Sequence, residues 1–137
     1  MRALPPSLND PFTTIRCVDQ LGSALCRLAQ REMPSPCRYD EDHRLRVIAP
    51  GVTFPIIVDA AFDKIRRHAG SSIAVSVRLL ETIPVIAASI QQPEDRAALR
   101  EQAKMIVRRA REEFLEGNDR TVVEKQYHEA REALRAP

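Results

Sequence analysis

Two carboxylates stand four residues apart in the segment DAAFDKIRRHA, at Asp59 and Asp63. On a helix that spacing puts them on one face, where a pair of acids can share a proton or hold a hard cation. The same spacing also pairs Asp63 with Arg66 and Arg67, three and four residues on, which is the arrangement of an exposed ion-paired helix. No nucleophile accompanies the acids, since neither a G-x-S-x-G elbow nor an H-E-x-x-H pair occurs. His43, His68 and His128 are dispersed along the chain, and a place in the last turn of a helix is reason enough for His68. Four glycines without a G-x-G or Gly-Lys-Ser leave no loop to cradle phosphate. Cys17, Cys26 and Cys37 fit no CxxC or zinc spacing and are expected as reduced thiols. These absences predict no enzyme, no cofactor and no metal. An enzyme using Asp10, Asp59 or Asp63 in a cleft is the competing expectation.

A second feature is cationic. Arg96, Arg100, Lys104 and Arg108 recur every four residues, with Arg111 close to the same line. A ridge of like charges is a small local cost. It suits an anionic membrane surface or an acidic partner, while Glu101, Glu112 and Glu113 offer the plainer outcome of a neutralised solvated face. Nucleic acid is not an expected partner, because aromatic residues are 4% of the chain and none interleaves with the ridge.

The elements that position these groups follow from punctuation and period. At 137 residues the chain is the size of one domain, and its net charge of +2 creates no strong overall field. In LPPSLNDPFTT, Pro11 holds Asp10 in the extended backbone of an N-cap and supplies the fixed φ suited to a first helical position. Apolar residues at Phe12, Ile15, Val18, Leu21, Leu25 and Leu28 then predict a first helix over 11–31, stopped by Pro34 and Pro36. Alternation around Leu45, Arg46 and Val47, with a polar tip at 40–43, predicts a short hairpin ending near Pro50. The second helix starts at Thr53, buries Ile57, Val58, Ala61, Phe62 and Ile65, and ends near Gly70. Ser71 or Ser72 caps a third with Ile73, Val77, Leu80, Ile83 and Ile90 inside, and Pro84 is expected to kink or break it. A fourth starts at Pro93 with Glu94 and Asp95, buries Leu99, Ala103, Ile106, Ala110 and Phe114, and stops at Gly117-Asn118. Asp119 is expected to cap a fifth carrying Val122, Val123, Tyr127, Ala130 and Leu134. The fold class is therefore mostly α, about five helices in a bundle, with one β-hairpin between helices 1 and 2.

The most apolar stretch, 72–90, is interrupted by Arg78 and Glu81 and does not reach the length of uncharged residues that a membrane span needs. The opening residues run into Pro5-Pro6 instead of an apolar core, so no signal peptide is expected.

ALPPSLNDPFTT resembles the ALSPGINDPFTA motif of a family of bacterial predicted membrane proteins classed as a domain of unknown function. The likeness continues in Val18-Asp19-Gln20-Leu21-Gly22, in TFPIIVDAAFDKIRRHA from Thr53, and in AVSVRLLE up to Glu81. Asn9, Asp10 and Pro11 belong to its most specific part. Ser7 stands where the family pattern has Gly, and Pro84 falls where its members continue with helix formers. The resemblance implies that the chain is the last portion of a soluble region following several membrane-spanning helices, on the cytoplasmic side of the inner membrane. On that reading Met1 is an internal start or a truncation. The implied role is assembly or regulation. The implied partners are the missing N-terminal membrane portion, a second copy of the chain, or an anionic membrane surface. The candidate interaction residues are Asn9, Asp10, Asp59, Asp63, Arg96, Arg100, Lys104 and Arg108.

Overall fold

Helical period and proline punctuation translate into α1 (Pro11–Ala29), β1 (Cys37–Tyr39), β2 (Leu45–Ile48), α2 (Phe54–Ala69), α3 (Ile73–Ala87), α4 (Pro93–Glu113) and α5 (Gly117–Arg135). The computed structural model describes residues 10–69, 72–114 and 117–135. Ser7, Asn9 and the side chain of His68 lie outside the described residues. The five helices and the hairpin between α1 and α2 are the mostly α architecture expected from the sequence.

α1 starts as its first residues dictate. Asp10 is extended (φ −77°, ψ 112°), and its carboxylate accepts from the Phe12 N–H at 3.0 Å, the Thr13 N–H at 3.3 Å and the Thr13 hydroxyl at 2.9 Å. The Thr13 hydroxyl, then the Phe12 N–H, hold the Asp10 carboxyl below its ordinary value. Val18, Gly22 and Leu25 are buried along the helix. Phe12, expected on that face, is instead 68% exposed, because it stands in the first turn ahead of the first core contact at Ile15.

α3 is apolar around much of its circumference, and a helix of that kind belongs in the middle. It packs against α1, α4 and α5, with Val75, Leu79, Leu80, Ile83 and Ile86 buried. Ser72 has the extended backbone of a cap, but its side chain makes no capping bond. The expected break at Pro84 does not occur, since α3 continues to Ala87. Proline here removes only the last-turn donor to Leu80, and the Ala88 N–H still reaches the Pro84 carbonyl at 3.1 Å. Tight bonds from Ser89 to Ile86 and from Ile90 to Ala87 then close the helix, leaving Ile90 buried just beyond it.

α4 begins at Pro93 with Glu94 and Asp95 in its first turn. Its end was expected at Gly117-Asn118 and comes sooner: Phe114 turns extended (φ −94°, ψ 109°) and puts its ring into the core. Burial of an aromatic ring outweighs local helix preference there. Gly117 is consequently the first residue of α5, its carbonyl accepting from the Thr121 hydroxyl at 2.7 Å, and Asp119 lies inside the first turn instead of capping it. Val123, Ala130 and Leu134 are buried, whereas Val122 is exposed. Phe62 of α2 is the largest fully buried side chain.

The hairpin stands apart from this core, and its substantial contacts are between its own strands. Asp40 closes the tip, accepting from the Asp42 N–H at 3.0 Å, the Arg44 N–H at 2.9 Å and Arg46 Nε at 2.6 Å. The Arg44 N–H, then the Arg46 side chain, lower the Asp40 carboxyl. His43 takes the left-handed backbone (φ 61°) that the tight tip requires. The pairing is Cys37 with Ile48 and Arg38 with Val47, and then Tyr39 with Leu45, which leaves Arg46 bulged out of register. On the other strand the Cys37 N–H is taken by the Ser35 hydroxyl at 3.1 Å, and its carbonyl by Arg38 Nη1 at 3.4 Å.

Candidate functional site

The candidate carboxylates are engaged by donors, not by each other. Asp59 accepts from Gln102 Nε2 of α4 at 3.0 Å. Asp63 accepts from Arg66 at 3.3 Å and Arg67 at 2.8 Å, the pairs its spacing predicts. Behind them Gln102 is buried, and Arg66 reaches past Asp63 to the Met105 sulfur at 3.4 Å. Burial pulls the Arg66 guanidinium below its ordinary value, opposed by Asp63 and then Asp59. Arg66 Nε and Gln102 Oε1 have no partner among the described residues. The chemistry of this α2/α4 contact is that of a polar latch. Asp10 is spent on its cap.

The cationic ridge of α4 is subdivided by partners that sequence spacing does not reveal. Arg96 Nη2 donates to the Ile90 carbonyl at 3.4 Å. Arg100 Nη2 donates to the Leu134 carbonyl at 3.0 Å, neutralising the negative end of α5. Lys104 pairs with Glu101 at 2.7 Å, and Arg111 holds Glu124 of α5 through both oxygens. Among the described residues Arg108 alone of the four candidate cations has a side chain with neither a hydrogen-bond nor an ion-pair partner. The ridge is therefore interrupted: Arg100 and Arg111 tie α4 to α5, while Arg96 is satisfied by the turn before α4 and Lys104 by its own helix.

The charged cluster that sequence reasoning missed lies between α1 and α3. Arg78 of α3 donates Nε to Asp19 of α1 at 2.6 Å and Nη1 to Glu81 at 3.1 Å. The Arg78 hydrogen bond lowers the Asp19 carboxyl, and the two acids, Asp19 first, raise the guanidinium. One helical turn away Gly22 meets Thr82 so closely that a Cβ on Gly22 would lie 2.5 Å from Thr82 Cγ2. Cys26 donates its thiol to the Val85 carbonyl at 3.7 Å, and all three cysteines are free. A groove of about 610 Å³ follows this seam, lined by Ser23, Cys26 and Arg27 of α1 and by Thr82 and Val85 of α3. The available signal was that Asp19 and Gly22 belong to one family-like segment and Arg78 and Glu81 to another. Their meeting is a tertiary fact.

A last surface is apolar. Tyr39, Leu45, Val47 and Ile48 of the hairpin, with Val52 and Ile56 after it, are all exposed, Ile48 to 68%. No group of three or more metal-ligating side chains occurs among the described residues. No helix of the described residues is long and apolar enough to cross a membrane.

Residues 1–84 match the model of the family described as Predicted membrane protein (DUF2254), and the chain belongs to that family. It is 32% identical over 123 residues to the uncharacterized protein Rv1290c of Mycobacterium tuberculosis (strain ATCC 25618 / H37Rv). The figures are the same for the uncharacterized protein Mb1321c of Mycobacterium bovis (strain ATCC BAA-935 / AF2122/97). Each alignment covers 90% of this chain and 24% of the relative, so the chain spans about a quarter of the length of the curated relatives it matches. No solved structure matches it.

Proposed function

We propose that the chain is a non-catalytic module serving assembly or regulation in a membrane protein, placed on the cytoplasmic side and docking against the remainder of the parent polypeptide. The observation that carries this reading is the apolar hairpin. Its exposed apolar side chains project where no helix of the bundle makes a substantial contact with the strands, and apolar surface left open in this way marks an interaction site. Membership of a membrane-protein family in which relatives are about four times as long is what supports a partner within the same polypeptide. The engagement of Asp10, Asp59 and Asp63 by cap, amide and guanidinium donors favours this reading over an acid-base enzyme.

A photo-crosslinking amino acid at Val47, introduced into the protein in cells, tests the reading. The expected result is an adduct in the membrane fraction that disappears when Ile48→Lys is added. A purified chain that is monomeric, melts cooperatively and binds no apolar dye, together with no adduct in cells, would refute it.

A further inference from the structure

The bulge in the hairpin sorts its side chains. Residues opposite each other in an antiparallel pair share a face, and side chains alternate along each strand. Alternation alone would set Leu45 and Val47 on one face of β2, and Arg46 and Ile48 on the other. The pairing differs: Cys37 stands opposite Ile48, Arg38 opposite Val47 and Tyr39 opposite Leu45, because the register slips between Arg38 and Tyr39. The slip moves Leu45 onto the face of Ile48. One face thus consists of Cys37, Tyr39, Leu45 and Ile48, without a charged side chain, while the other carries Arg38 and Val47. Tyr39, Leu45 and Ile48 are all exposed.

A two-stranded hairpin is marginal in water on its own and becomes stable when an apolar face packs on a further layer. Among the described residues no helix of the bundle supplies that layer, since the strands make their substantial contacts with each other. We propose that the face of Tyr39, Leu45 and Ile48 is covered by an amphipathic helix from the part of the parent polypeptide outside this chain, forming a two-layer unit of helix on hairpin. The alignments cover 24% of each curated relative, so such proteins have further chain to supply it. A helix about 10 Å across spans both strands, which lie about 5 Å apart. A third strand is the poorer fit, because the N–H and carbonyl of Cys37 are taken by Ser35 and Arg38 and β2 carries the bulge. Insertion into lipid also fits less well, since the exposed Glu41 and Asp42 at the tip would have to enter the apolar layer. The inference rests on the docking reading above and narrows it to one face of the hairpin and one kind of covering element.

Photo-crosslinking residues placed singly at Tyr39, Leu45 and Ile48 in the protein in cells, with the adducts mapped by mass spectrometry, test it. All three are expected to react with one segment of the parent polypeptide, at positions three or four residues apart, the period of a helix. Reaction at alternate residues would mean an added strand, adducts to residues 37–48 a second copy of the hairpin, and adducts to phospholipid a membrane contact; each of these overturns the proposal. No adduct from these three positions, with one retained from Val47, would keep the docking reading and overturn the helix. Silence from all four positions overturns both. Hydrogen exchange on the purified chain gives a second measurement: the Asp40 and Ala49 amides, bonded to Arg44 and Pro36 across the hairpin, are expected to lose protection long before the amides of α3. Protection equal to that of α3 would show that the hairpin is complete without a cover, and overturns the proposal as well.

Discussion

Replacing Gly22 by alanine sets two effects of opposite sign against each other. In the interior of an exposed helix the change favours folding by about 1 kcal/mol, because glycine has more backbone freedom to lose. At this position the new methyl carbon would stand 2.5 Å from Thr82 Cγ2, far inside the roughly 3.5–4.0 Å at which carbons attract. Thr82 has little room to retreat: its Cβ is branched, and turning it breaks the 2.8 Å bond from its hydroxyl to the Arg78 carbonyl. Separating the helices instead strains the 2.6 Å Arg78–Asp19 pair. Overpacking of this kind costs about 1–3 kcal/mol, so Gly22→Ala is expected to destabilise by roughly 1 kcal/mol net. In Thr82→Ser the obstructing methyl is gone and the hydroxyl remains. Against that background Gly22→Ala is expected to become neutral, or stabilising by up to about 1 kcal/mol, a coupling of roughly 1–2 kcal/mol. Urea unfolding followed by far-UV circular dichroism on the four proteins of the cycle measures it. Equal effects of Gly22→Ala in both backgrounds would show that the α1/α3 contact is not limited by this pair.

Two further outcomes follow from the described packing. Phe62→Ala removes the largest fully buried side chain and is expected to cost about 3–5 kcal/mol, seen as a fall in urea midpoint with little change in slope. Asp10, Asp19 and Asp40 have carboxyls held below the ordinary aspartate value of 3.8 by hydrogen bonds. Their contribution to stability is therefore complete above that value and lost as pH falls below it through their folded values. Melting temperature is expected to drop in that acid range, and a triple Asp10→Asn, Asp19→Asn, Asp40→Asn variant should show a shallower drop; an unchanged pH profile would contradict the assigned hydrogen bonds.

Helix starts were legible because they are written locally. Asp10-Pro11 and Pro93-Glu94-Asp95 fix backbone angle, donor count and charge within a few residues, and the structure uses them as such. The ends were less legible where burial competes. Nothing local announces that Phe114 will turn its ring inward and leave Gly117 to start a helix, because the benefit lies in the core it enters. The break expected at Pro84 fails for a tertiary reason as well: Leu80, Ile83, Ile86 and Ala87 are buried on both sides of it, and that burial carries the helix past the proline. Charge on α4 was visible as spacing, but its neutralisation by Leu134 and Glu124 of α5 depends on a partner helix. The Asp19–Arg78 seam joins residues 59 apart in the chain, and each looked ordinary in its own segment.

The hairpin has a property that bears on solution behaviour. An exposed strand with aliphatic side chains normally invites other chains to extend its sheet without limit. Here the outer groups of Cys37 are occupied by Ser35 and Arg38, and the opposite strand carries its bulge at Arg46. Side chains remain available for contact while the backbone offers no regular template. Such a projection leaves its side chains open while its edge resists extension into a larger sheet.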